Sequence, residues 1–184
     1  MKYETGTVVI WFSCGAASAV AAKLALDRFG KDRCRVVNNP VIEEDEDNRR
    51  FLGDVQEWLG VPIEYAHNPE YPSCSAEEVW GKRRFMSGPQ GAPCTLELKK
   101  KARQHWEIEN DYDWLILGFT LEEKQRSDRF QKTERRNLIP ILIEEGYTKD
   151  DCYREVMRAG LELPRIYKLG YPNANCIGCV KATS

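Results

Sequence analysis

The sequence predicts an α/β protein built on a mostly parallel sheet with helices on both faces. Three observations carry that expectation. A β-branched and aromatic run at residues 7–12 (TVVIWF) breaks into small residues and resumes as an Ala-rich helical stretch to residue 29. The alternation then repeats, so that residues 7–66 read as βαβαβ, the order of parallel strands wrapped by helices. A further apolar run at residues 113–118 (DWLILG) reads as a later strand of the same sheet.

Taken in order, residues 7–12 are long enough for a buried strand and too short for a helix. Ser13, Cys14, Gly15, Ala16, Ala17 and Ser18 follow with little side-chain bulk, so a phosphate can approach the backbone N–H groups at the helix start. Those first-turn donors are unpaired and carry partial positive charge. A tight turn of small residues made only for packing has equal weight on the loop alone. Residues 35–38 (RVVN) form the second strand, ended by Asn39 and Pro40. Residues 48–59 set Phe51, Leu52, Val55, Trp58 and Leu59 on one helical face, and Gly60 stops that helix. Residues 62–66 (PIEYA) are the third strand. Ligands of such sheets sit beyond the carboxyl ends of the strands. That rule places the loop, Asn38, Asn39 and the acidic run Glu43, Glu44, Asp45, Glu46, Asp47 at one rim, with most of the acidic run read as a solvated face.

Residues 67–93 are irregular, apart from a short helix at 76–84 ending in Lys82, Arg83 and Arg84. Cys94 then opens a helix with Glu97 early and Lys99, Lys100, Lys101 and Arg103 later, a polarity that suits the helix dipole or an anion. The segment FTLEEKQRSDRF runs on from the fourth strand and brings Glu122, Glu123, Arg126 and Arg129 to the same rim. A guanidinium fork matches phosphate or sulfate oxygens, whereas a pair of Glu122 with Arg126 at helical spacing is the plain surface alternative. Residues 138–143 (LIPILI) are an edge strand or buried extended segment because Pro140 interrupts them. Thr148 caps a helix through residue 159, with Asp150 and Asp151 in its first turn and Gly160 at its end.

A chain of 184 residues is expected to form one domain, and its 42% hydrophobic and 30% charged content is that of a globular protein. The net charge of -2 excludes a global attraction to nucleic acid, so any polyanion would bind a local patch. No stretch approaches a membrane span and the early acidic Glu4 argues against a signal peptide, so the expected location is cytoplasmic. The seven cysteines are then thiols or metal ligands rather than disulfides. Cys176 and Cys179 form a CxxC whose Gly178 permits a tight loop around one metal or cluster, with Cys94 as the third ligand and Cys152 as a weaker candidate. Three thiolates suit an iron-sulfur cluster with one open iron, whereas structural zinc would need a fourth ligand.

The loop SCGAASAV, the segment GFTLEEKQRSDRF, the stretch IPILIEEGYTKDDCYREVMRAGLELPRIYKLGY and the terminal NCIGC resemble the phosphoadenosine phosphosulfate (PAPS) reductase family, over roughly residues 7–180. That family belongs to the adenine nucleotide alpha hydrolase-like superfamily, so the resemblance implies a Rossmann-like fold. It also implies a nucleotide-binding set of Ser13, Cys14, Gly15, Ala16, Ala17, Ser18, Asn38, Gly118, Glu123, Arg126 and Arg129. The superfamily's ATP pyrophosphatases read SGGxDS at this loop; here Cys14 replaces the first Gly and Ala17 the Asp, and PAPS reductases also lack that Asp. The ligand implied is an adenine nucleotide, PAPS, APS or ATP, and the cofactor a 4Fe-4S cluster on Cys94, Cys176 and Cys179, with zinc as the alternative. The resemblance supplies no catalytic nucleophile, because reductases of the family use a tail cysteine and none follows Cys179.

The expected activity is sulfur transfer or reduction on an activated adenine nucleotide, with an electron or sulfur donor protein as partner. Two alternatives stand beside it. One is an ATP-using sulfurtransferase that thiolates a nucleic acid held by Lys82, Arg83, Arg84, Lys99 and Lys100. The other is a noncatalytic nucleotide-binding module with structural zinc.

Overall fold

The computed structural model describes residues 3–89 and 91–179. Five parallel strands, β1 (Val8–Phe12), β2 (Cys34–Asn38), β3 (Ile63–Tyr65), β4 (Trp114–Ile116) and β5 (Leu138–Ile139), lie in the order β3-β2-β1-β4-β5. β1 is central, pairing along its whole length with β2 from Val8 against Cys34 to Phe12 against Asn38. Its other edge pairs with β4, from Val8 against Trp114 to Ile10 against Ile116. The chain leaves β1 toward β2 and β3, then returns to the opposite side with β4. The order therefore reverses between β1 and β4, the position beyond whose strand ends such sheets bind ligands.

A central parallel strand is covered on both faces and needs no polar alternation. All five residues of β1 are buried. Val8, Ile10 and Phe12 point into the larger core with Phe51, Val55 and Leu59, while Val9 and Trp11 point to the opposite side against Trp106 and Leu115. Helix α1 (Ala16–Phe29) packs so closely on the first face that Ala16, Ala19, Ala22 and Ala25 are wholly buried. A larger side chain at those positions would push the helix off the strand. α2 (Asp47–Leu59) uses the face expected from its sequence and ends at Gly60 in the left-handed region, φ 61°. α3 (Ala76–Arg83) lies over a smaller cluster of Val41, Tyr71, Val79 and Leu98.

Two segments depart from expectation. The helix expected from Cys94 is not regular: Thr95–Lys101 is a π-helical stretch that leads into α4 (Ala102–Glu109). Within it the fully buried Glu97 carboxylate is held by Arg83, Lys101 and Asn68 while Lys99 reaches Glu44, and the wider turn carries these side chains to separate partners. Beyond β4, α5 (Lys124–Thr133) precedes β5. After Pro140 the chain does not continue as a strand but turns into α6 (Ile141–Glu144), since proline cannot donate to a ladder yet suits a helix start. α7 (Lys149–Arg158) carries the expected Thr148 cap, completed by a reciprocal bond from Asp151, and a short α8 (Arg165–Lys168) follows. Among the described residues no helix is long and apolar enough to cross a membrane.

Candidate functional site

The loop between β1 and α1 lies at the carboxyl end of the central strand, beside the reversal of strand order. Its own side chains hold its shape. Ser18 Oγ donates to Gly15 O at 2.9 Å and accepts from Ser13 N at 3.2 Å. Its single proton is thereby used, so the 3.3 Å contact with Ser13 Oγ has Ser13 as donor. Cys14 adopts the left-handed conformation, φ 56°, at the position where the related loop motif carries glycine. A non-glycine residue is strained there and persists only when its surroundings fix it. The buried Asn38 provides that fixation, donating Nδ2 to Phe12 O at 2.8 Å and to Cys14 Sγ at 3.5 Å. Burial, with the Glu44 carboxylate nearby, pushes the Cys14 thiol up to about 12, so it is a protonated packing group rather than a thiolate.

Gly118, just past β4, touches the loop from the other side of the reversal point. A Cβ there would lie 2.8 Å from Ser18 N and 2.9 Å from Ser18 Cα. The missing side chain lets the Gly118 backbone pack directly against the first turn of α1. Among the described residues, the N–H groups of Ala17 and Ser18 have no hydrogen-bond partner, whereas Ala16 N donates to Tyr167 Oη at 3.1 Å. Tyr167 was not foreseen from the sequence. It lies in the stretch ending RIYKLGY that carries the resemblance, where nothing gave it a role, and only the fold brings α8 onto the loop across 151 positions.

The structure therefore brings Ser13 to Ser18, Asn38 and Gly118 together. It places Glu123, Arg126 and Arg129 differently. Glu123 closes a capping box with Thr120, and its other oxygen accepts from Arg126 at 2.7 Å. The Arg126 side chain is 66% exposed and covers Phe119, and Arg129 is exposed on α5. A cation that does act on the loop is Lys99, which is paired with Glu44 Oε1 at 2.8 Å and feels Cys14. Burial works against its charge, but Glu44, Cys176 and Cys14 more than offset this and its pKa lies above the ordinary lysine value.

The three cysteines expected to bind a metal converge only in part. Cys94 and Cys176 flank the same small apolar cluster, and the backbone of Cys176 pairs with Glu44. Gly178 takes φ 67°, and Cys179 N bonds Cys176 O at 3.1 Å, the tight turn expected of this CxxC. Burial first, then Glu44, pushes the Cys176 thiol up to about 12, and Cys179 and Cys94 add to the effect while Lys99 opposes it. Among the described residues, however, no group of three or more His, Cys, Asp or Glu side chains is arranged to hold a metal ion. Cys94, Cys176 and Cys179 thus lie near one another without an assembled three-thiolate centre among the described residues. Cys152 is wholly buried on α7 and belongs to the core.

The basic residues considered for a nucleic acid are also engaged. Lys82 pairs with Glu78 at 2.6 Å, Arg83 with Glu97, Lys99 with Glu44, and Lys100 with Glu134 at 3.4 Å. Paired charges of this kind leave little net field for a phosphate backbone.

No family model matches the chain, and no curated protein matches it. Among solved structures it is similar to phosphoadenylyl-sulfate (PAPS) reductase from Candida auris, determined as a phosphate complex, with a TM-score of 0.63 and 9% sequence identity over 97% of this chain and 83% of that chain. The chain thus has the Rossmann-like α/β fold of a PAPS reductase.

Proposed function

We propose that the protein is an enzyme of sulfur transfer or reduction that binds an activated adenine nucleotide, with an anionic group seated on the loop of residues 13–18. The observation that carries this reading is that the N–H groups of Ala17 and Ser18, at the start of a 14-residue helix beside the reversal of strand order, have no hydrogen-bond partner among the described residues. A helix start concentrates donors and positive potential, and the order reversal of a parallel sheet is where such folds bind ligands. The shared fold with a PAPS reductase, itself a phosphate complex, supports the same substrate class.

The roles follow from the chain's own groups. Ser13 and Ser18 hold the loop open, Asn38 braces Cys14 beneath it, and Lys99 supplies positive charge at the rim once a stronger anion competes with Glu44. No step of this reading passes through a metal. The nucleic-acid thiolation alternative is weaker, because four of its five basic residues are paired with carboxylates. Titration of adenosine monophosphate into isotope-labelled protein is expected to shift the Ala17 and Ser18 amide resonances first. Shifts confined to another surface would overturn the reading.

A further inference from the structure

Cys176 and Cys179 have no part in the nucleotide reading, yet their backbone is held in a defined shape. Cys179 N donates to Cys176 O at 3.1 Å and Gly178 takes φ 67°, so residues 176–179 form a hydrogen-bonded turn. Such a turn brings its first and last Cα atoms within about 7 Å, and a disulfide spans Cα atoms about 4.4–6.8 Å apart. The two thiols are therefore in reach of one another without a large movement of backbone. The turn is fixed at its start, because Cys176 forms an antiparallel bridge with Glu44 and Ile177 N donates to Glu43 O at 3.2 Å. Glu43 is tied down in turn, its carboxylate accepting from Ser75 Oγ at 2.6 Å and from Ala76 N at 2.8 Å. Both cysteines are free and half-buried, so a small reagent can reach them, whereas Cys14, Cys34 and Cys152 are buried. The turn also lies beside the loop of residues 13–18: a Cβ on Gly15 would come within 3.9 Å of Ala174 Cβ, two positions before Cys176.

We propose that Cys176 and Cys179 are a redox-active dithiol that exchanges with small disulfides at the rim of the sheet. Cys176 packs on the apolar cluster of Val41, Tyr71, Val79 and Leu98, and Cys179 is not among the residues packed there, which makes Cys179 the attacking sulfur and Cys176 the resolving one. The Cys179 sulfur attacks the incoming disulfide, forms a mixed disulfide and expels one thiol. The Cys176 sulfur then displaces the second thiol and closes the bond to Cys179. Two protein thiols and one external disulfide become one protein disulfide and two external thiols, and the two cysteine protons pass to the sulfurs released. External thiols return the pair to its reduced form by the reverse steps. On the sulfur-reduction reading above, such a pair holds two electrons beside the loop, but the exchange does not rest on that reading.

The test is equilibration of anaerobically purified protein in glutathione buffers of rising disulfide fraction, followed by acid quench, alkylation and peptide mass mapping. A peptide linked between Cys176 and Cys179, lighter by about 2 Da for the two hydrogens lost, is expected to accumulate in the wild type and in Cys94→Ser. Cys176→Ser should stop at a glutathione adduct on Cys179, and Cys179→Ser should give no linked peptide. Because the fold holds the turn, the equilibrium constant for closing the bond should exceed that of the same chain unfolded in urea by about tenfold. An equal constant in urea, a link of Cys94 to Cys176 in place of the expected one, or two inert thiols in the folded protein overturns the proposal. No nucleotide enters the experiment, so its failure leaves the nucleotide reading in place.

Discussion

Two loops leave the sheet on either side of the point where its order reverses, one after β1 and one after β4, and they solve opposite problems. The first, residues 13–18, is poor in charge and rich in small residues; its side chains turn inward, and the Ala17 and Ser18 N–H groups at the helix start are among those without a partner among the described residues. The second, residues 118–126, is rich in charge, yet its carboxylates and guanidinium satisfy one another or cap local backbone at the surface. Only Gly118, its least conspicuous residue, faces the first loop. Charge at a strand end is thus a weak guide to a binding site, because exposed ions pair cheaply with each other. Small residues that leave backbone donors without a partner are the better guide, because an unpaired N–H has no such local remedy.

The sharpest way to break the comparison is to force the two loops apart. In Gly118→Ala the new Cβ would sit under 3.0 Å from backbone atoms of Ser18, which cannot rotate away as a side chain can. We expect a loss of about 1–3 kcal/mol in denaturant unfolding, together with loss of nucleotide binding by calorimetry. Retention of both would mean that the loops are not in the contact described.

The buried character of the first loop gives a pH signature. The Cys14 thiol stands at about 12 in the folded protein against an ordinary value of 9.0. Below pH 9 it is protonated in both states and its contribution is fully present. Above that the unfolded chain releases the proton and the folded one does not, so stability falls as pH rises from 9 toward 12. The slope from this thiol is about 1.4 kcal/mol per pH unit. Cys34 and Cys152, raised to about 11 and about 12 by burial, act in the same direction. Urea midpoints measured at pH 8 and pH 10 should drop more in the wild type than in Cys14→Ala.

The smallest effect belongs to the charged loop. Arg126→Ala and Arg129→Ala should each change stability by less than about 0.5 kcal/mol and leave nucleotide affinity unchanged, because exposed pairs are screened by water. A tenfold loss of affinity in either variant would assign that arginine to the anion site and narrow the contrast between the loops.

The periodicity of the sequence determined much of this protein by itself. The uninterrupted apolar β1, the one-sided face of α2 and the Thr148 cap of α7 are local consequences of side-chain shape and hydrogen bonding, so they could be read without knowing what lies across the fold. The loop of small residues was equally legible. Its meaning was not, because whether an N–H is open depends on neighbours from distant positions: Gly118 packs against Ser18, and Tyr167 claims Ala16. Proximity alone was decided by tertiary structure for the cysteines too, since spacing in sequence predicts that Cys176 and Cys179 turn tightly but not that burial keeps Cys176 protonated beside Cys94. The arginines teach the same point from the surface. Their charge is written in the sequence, but the low effective dielectric that would make it count for binding exists only where the folded chain excludes water, and α5 leaves both of them outside that region.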